Sequence, residues 1–463
     1  MTRATIASGA VAAVALLLAA AAGYRALQRR AQSAAPPPAT AASAAPDSPK
    51  NRPVPEARPG FLYGRVTTVD GATYEGRLRW GGDQEAFWGD YYNGRNAANH
   101  WAAQVPADLL PKERRRALHI LGFWIGPVRS YPMDLRRLFM ARFGDIARIA
   151  TSGRDVRVTL KSGTAFALDR LEAGDLDDGV RVWDAKRGVV DLDSLRIRTI
   201  ELLPAAPLAA PPARLHGTVH TRPGDFTGFV QWDRRECVGS DMLGSDILGR
   251  QSANSAFSLR FDTIRSIARR SSGGVLVTLR DGREVVLSRP QRGDGNHGTY
   301  VDDPRYGRVL VSWEAFERLD FSDADSGPAY GDFPPGSPLR GSVTTGAGRR
   351  LAGRLVYDLD ESETTETLDA PSQGVDYTIP FGLVASIVLP GRADGGARRA
   401  KVTLHSGEEL QLGLEGDLGE RNGGLLVFAG GSARAEYVPW KDVARVDLDR
   451  PPAMYPPLAA TKQ

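Results

Sequence analysis

At 463 residues the chain has room for several domains, and 51 Gly with 31 Pro point to many turns and short strands. The formal charge of +4 misleads, because residues 1–58 carry +5 and leave −1 for everything after them. A near-neutral body excludes the electrostatic footprint of a general nucleic-acid binder, and a single cysteine, Cys237, excludes an internal disulfide framework.

Met1-Thr2-Arg3 leads into an Ala/Leu/Val run from Ala4 to Gly23. A basic start followed by an apolar stretch is the layout of an export signal. Residues 1–30 are therefore expected to be a signal peptide or, since a largely apolar run of 20 residues approaches a bilayer span, a retained membrane anchor. Residues 31–60, rich in Ala, Pro and Ser, read as a spacer with too few large apolar side chains to form a core.

Three stretches then share one pattern: Leu62–Glu85, Leu215–Glu236 and Leu339–Glu361. Each has Leu-x-Gly-x-Val, a Gly-containing turn, a second Gly, and an apolar residue two before an aromatic. The glycine pairs are Gly64/Gly76, Gly217/Gly228 and Gly341/Gly353, spaced 12, 11 and 12 apart. Alternating apolar residues around a Gly-rich turn predict a β-hairpin. A second shared element follows: Phe143, Ile146 and Ile149 match Phe261, Ile264 and Ile267, and then Phe381, Val384 and Ile387. Spacing by three does not suit a strand, whose faces alternate with period two; it predicts one 3₁₀ turn running into a strand. A second hairpin comes next, at Val156–Leu168, Val275–Leu287 and Ala400–Leu412, with Ser-Gly or Asp-Gly at its turn.

Hairpin, further strand, single helical turn and last strand is an order that resembles the small SH3-like or Sm-like barrel, and it occurs twice per repeat. The expected fold is all-β: three tandem repeats, each a pair of small SH3-like β-barrel modules, with one helical insertion in the first repeat. The repeats cover 61–203, 214–321 and 339–449. Pro-rich linkers at 204–213 and 322–338 separate them, and 450–463 is a Pro-rich tail. The resemblance is to a fold and carries no function with it.

Each repeat places an acidic pair after its first hairpin: Glu85 and Asp90, Glu236 and Asp241, Glu361 and Glu366, five apart every time. Paired carboxylates are weak candidates for Ca²⁺, which takes six to eight oxygen ligands. Carboxylates that accept backbone N–H groups where the chain leaves the hairpin would explain the same pattern. The Gly-Asp loops 174–179, 293–298 and 416–424 lack the bidentate Glu of a Ca²⁺ loop and read as surface turns. His216 and His220 fall on one face of a strand but lie about 13 Å apart along it, too far to share a metal. No local catalytic or nucleotide-binding motif is present, and no cofactor is expected.

The repeats differ most at 86–141, an insertion with Trp88, Tyr91, Tyr92, Trp101, Phe123, Trp124 and Tyr131. Pro106–Gly122 reads as a helix, Asp108 near its start and Gly122 at its end. Nine basic residues against four acidic give +5 from Ala86 through Arg142. Trp101, Arg114, Arg115, Arg116, Phe123 and Trp124 are the candidate partner-binding residues, since aromatic and Arg side chains are enriched at binding hot spots. The expected function is a non-catalytic exported or membrane-anchored binding or scaffold protein of the cell envelope. Its partner would be an envelope protein, a glycan such as peptidoglycan, or an anionic membrane surface. The competing readings are a polysaccharide- or peptidoglycan-binding module and, behind it, a metal-dependent envelope hydrolase supported only by the acidic pairs and Gly-Asp loops.

Overall fold

A computed structural model describes residues 60–81, 84–95, 99–110, 112–120, 123–132, 135, 138–170, 174–205, 213–243, 259–271, 274–288, 297–324, 327–391 and 399–452. The export segment, the spacer, the Pro-rich tail beyond 452 and loop 293–296 lie outside them, as does most of the first linker. The protein is nearly all β, in antiparallel sheets of eight, ten and eight strands with three two-stranded ribbons beside them. Among the described residues the one α-helical stretch is the single turn Gly174–Asp177.

The hairpins form where the alternation places them. Tyr63–Thr68 pairs with Thr73–Trp80, His216–Thr221 with Gly224–Gln231, and Arg340–Thr345 with Arg350–Val356. In all three the paired glycines stand directly opposite each other. Their reason is space, because each of these strands is closed on its far side by another strand. A Cβ at Gly76 would lie 1.9 Å from the Trp183 carbonyl oxygen, at Gly228 2.0 Å from that of Asp302, and at Gly353 2.2 Å from that of Phe428. No real Cβ tolerates such a distance, so only glycine lets the sheet close this tightly.

Three further strands cover the first strand of each hairpin. Val66 faces Ile200, Val219 faces Leu319 and Val343 faces Val446, each pairing carrying a bulge near its end. The spacing by three is a 3₁₀ turn running into a strand: Phe143–Asp145 into Ile146–Ser152, Phe261–Thr263 into Ile264–Ser271, and Phe381–Leu383 into Val384–Val388. The opening Phe of each turn is buried, and so is every Val and Ile of the register just given.

The segments are not separated as the linkers suggest. Gly307–Val311 pairs with Val375–Pro380, so one ten-stranded sheet runs from the second segment into the third. The 322–338 stretch, expected to be a spacer, packs. Phe333 is 2% exposed and joins the first segment's core with Trp88, so close to Gly144 that a Cβ there would meet its ring at 2.5 Å. Lys161 Nζ donates to the carbonyls of Tyr330 and Phe333 at 2.5 and 3.0 Å. Proline density misled the reading here, because two aromatic residues suffice to dock a Pro/Gly-rich segment.

The expected helix is absent. Lys112–Ile120 and Phe123–Pro132 are strands that pair with each other, Ile120 opposite Phe123. The helical reading weighed 106–122 alone, whereas the stretch after it supplies Phe123, Trp124, Ile125, Val128 and Tyr131, residues that favour a pleated strand.

Candidate functional site

The three acidic pairs sit where each first hairpin is left. One bridge recurs there: Trp80 with Gln84, Trp232 with Glu236, and Tyr357 with Glu361. Gln84, not Glu85, is therefore the counterpart of Glu236 and Glu361, and the first segment has one residue more between this bridge and Asp90. The second member of each pair does the same task in all three places. Asp90 Oδ2 accepts from the amides of Glu85 and Ala86 at 2.9 and 2.8 Å. Asp241 Oδ2 accepts from Cys237 and Val238 at 2.9 and 3.0 Å. Glu366 Oε2 accepts from Ser362 and Glu363 at 2.5 and 2.7 Å. These carboxylates satisfy buried backbone donors that would otherwise be orphaned.

Glu85 is buried between two arginines, paired with Arg77 and, at 3.0 Å, with Arg79. Asp90 uses its other oxygen to hold Arg308 of the second segment at 2.8 Å. Arg308 also donates to Asp302 at 2.9 Å, and Asp302 receives Arg214 at 3.3 Å. Asp90 and Asp302 are 3% and 2% exposed, so these charges are taken out of water together. Gly89 permits the approach, since a Cβ there would lie 1.8 Å from Asp302 Oδ2. Glu363 makes a comparable tie from the third segment to the first, accepting from Ser162 at 3.1 Å and from Thr164.

Among the described residues, one group of three carboxylates comes together in the third segment. Asp358, Glu361 and Asp417 bring one carboxylate oxygen each to within 4.8 Å of one another. A cavity of about 160 Å³ adjoins them, lined by Glu361, Glu366 and Asp369 on one side and by Asn93, Leu138 and Met140 of the first segment on the other. Burial pushes the Glu361 carboxyl well above its ordinary value, and the neighbouring Asp417 and Asp358 add to it. The three oxygens are a set that could hold a cation. Yet Asp358 already accepts the Gly423 amide, and Asp417 accepts that of Asp369 at 2.6 Å, leaving few of the six to eight ligands Ca²⁺ takes.

Burial also raises Glu236 and Glu366 to about 8 from the ordinary 4.5. Between those two pH values the folded chain holds protons that the unfolded chain has released, so stability falls as pH rises through that window and levels off above it. We expect the melting temperature to drop from about pH 5 to about pH 8, and to drop less, by at least about 2 °C, in Glu236→Gln/Glu366→Gln. Parallel melting curves for the two proteins would contradict the assignment.

The partner-binding candidates divide. Trp101 is half-buried against the same chain, its ring 6.0 Å from that of Phe428 and 5.1 Å from the Arg354 guanidinium. Ala102, Val105 and Leu135 pack with it against Val356, Leu359 and Leu426 of the third segment. Trp88, Tyr91 and Tyr92 are core residues. Arg114, Arg115, Arg116, Phe123 and Trp124 lie on the paired ribbon, but their side chains are outside the described set. His220 stands between Asp225 and Asp320 at 3.0 and 3.1 Å, and His216 bonds Ser322 at 2.8 Å. The two share no ligand position.

No protein-family model matches the chain, and no curated protein matches it in sequence.

Proposed function

We propose that this is a non-catalytic exported or membrane-anchored binding or scaffold protein of the cell envelope, built from three tandem repeats of paired SH3-like modules. The observation that carries the reading is the use made of the acidic side chains. Asp90, Asp241 and Glu366 hold the same two backbone amides in each copy, which is the work of a framework. The shared glycine pairs, bulges and 3₁₀ turns support the tandem arrangement. Ties between segments then favour a rigid body that presents what is unique to one copy. The described insertion aromatics are packed, which favours a protein or lipid partner over a flat sugar face.

The export half rests on the Arg3 and Ala4–Gly23 pattern. Its test is protease treatment of spheroplasts from cells expressing the full chain with a C-terminal tag. The tag should be digested without lysis; a tag protected until the cells are broken overturns export.

A further inference from the structure

We infer that the strand Gly188–Leu192 of the first segment is a docking edge for the same strand of a second copy, so that two chains join antiparallel about a two-fold axis and one sheet runs through both. The second segment shows how such an edge is used. There Thr299–Asp303 pairs with the first hairpin and turns back into Gly307–Val311, as Val180–Asp184 pairs and turns back into Gly188–Leu192. The turns match too. Asp184 accepts the amides of Lys186 and Glu75 at 2.8 and 2.9 Å, and Asp303 those of Arg305 and Thr227, both at 2.9 Å. The far side of Gly307–Val311 is taken by Val375–Pro380 of the third segment, Val309 standing opposite Tyr377. Among the described residues, no strand pairs with the far side of Gly188–Leu192, which ends its sheet.

Exposure records the difference. Val309 is 0% exposed, whereas its counterpart Val190 is half-buried and the neighbouring Val189 is 57% exposed. The strand also lacks the devices that keep edges from pairing, with no Pro, no Lys and no bulge in its register with Val180–Asp184. Its one charge, Asp191, faces solvent and is held by Arg181 at 2.7 Å. Opposite residues of an antiparallel pair share a face, which leaves few registers for self-pairing. With Val189 opposite its own copy, Gly188 meets Val190 and the exposed Arg187 meets the exposed Asp191 on both sides of the axis. Val189 already stands opposite Trp183 within the chain, so the outward face becomes an unbroken apolar row. Setting Val190 opposite its copy places each Val189 against Asp191 instead, and setting Asp191 opposite its copy makes like charges face each other. One register thus satisfies both charge and apolar match, and a second copy carries its complement by construction.

Cysteine cross-linking of the full chain is the test, because directly opposite residues lie about 5 Å apart at Cα, within the span a disulfide bridges. In a Cys237→Ser background, mild oxidation should turn Val189→Cys into a covalent dimer. Its yield should be at least tenfold that of Leu195→Cys or Val286→Cys, which are 72% and 52% exposed but off this edge. Arg187→Cys and Asp191→Cys should each dimerise poorly alone and cross-link to one another when the two proteins are mixed. Adding Arg187→Glu to Val189→Cys sets Glu against Asp191 and should remove most of the dimer, while the strand His216–Thr221 keeps its hydrogen exchange as proof of folding. Equal yields at the three exposed positions would be random collision and overturn the inference. A Val189→Cys chain that stays monomeric while maleimide labels its thiol also overturns it. So does a thiol that maleimide cannot reach in the monomer, which would mean that another part of the same chain covers the edge.

Discussion

Arg308→Ala should destabilise the folded body by about 3–5 kcal/mol, the cost of leaving buried charges without their partner. Arg308 lies between Asp90 of the first segment and Asp302 of its own, with Tyr300 beneath it at 4.5 Å. Truncation strands both carboxylates, each 3% exposed or less, and Asp302 would retain only the longer bond to Arg214. Arg308→Met combined with Asp90→Asn should cost less than the single alanine, because Asp90 then carries no charge and Asp302 keeps its pair with Arg214 at 3.3 Å. Urea unfolding followed by far-UV circular dichroism measures both. A single alanine variant within about 1 kcal/mol of the parent would show that water reaches this site and that the network is not a tie.

Gly228→Ala is the second large effect, at about 3 kcal/mol, the upper end of overpacking costs. The added methyl would lie 2.0 Å from the Asp302 carbonyl oxygen and 2.7 Å from its carbon. Both atoms are backbone in a paired strand, so no side chain can swing aside, and separating the strands would break Phe229–Asp302 and the pairs beyond it. Gly331→Ala is the control, with nothing within 4 Å of its added Cβ, and should be near neutral. Equal melting temperatures for the two variants would mean that the glycine pairs are not there for closure.

Much of this architecture was legible because it is local. A hairpin announces itself within about 20 residues through alternation and turn chemistry, and the glycine pair adds a mark that packing makes obligatory. The 3₁₀ turns were legible for the same reason, from Phe143, Phe261 and Phe381 and the apolar residues three apart after them. The acidic pairs are visible as a pattern but one residue out of step in the first segment. An aromatic followed four residues later by Gln or Glu, as in Trp80 and Gln84, Trp232 and Glu236, Tyr357 and Glu361, was the better signal.

What could not be read was whatever joins distant parts. Asp90 and Arg308 are 218 residues apart, and nothing near either names the other. Phe333 lies within the 322–338 stretch that reads as a linker, and an aromatic amid Pro and Gly is a sign that such a stretch docks. Trp101 reads from the sequence as a partner-binding residue, whereas its ring packs on Phe428 of the same chain. Pro106–Gly122 reads as a helix because Lys, Glu, Arg, Ala and Leu favour helices; the deciding information lies in the strand that pairs with Lys112–Ile120.

Native-state hydrogen exchange on the full chain and on Arg308→Ala tests most directly whether the three segments form one body. Tyr63–Thr68, His216–Thr221 and Arg340–Thr345 hold the same place in their segments, and residues 53–463 form one compact unit. The account predicts one common opening free energy for the slowest amides of all three strands, falling by the same amount in the variant. Three separate values in the parent, or a loss confined to His216–Thr221 in the variant, would contradict it.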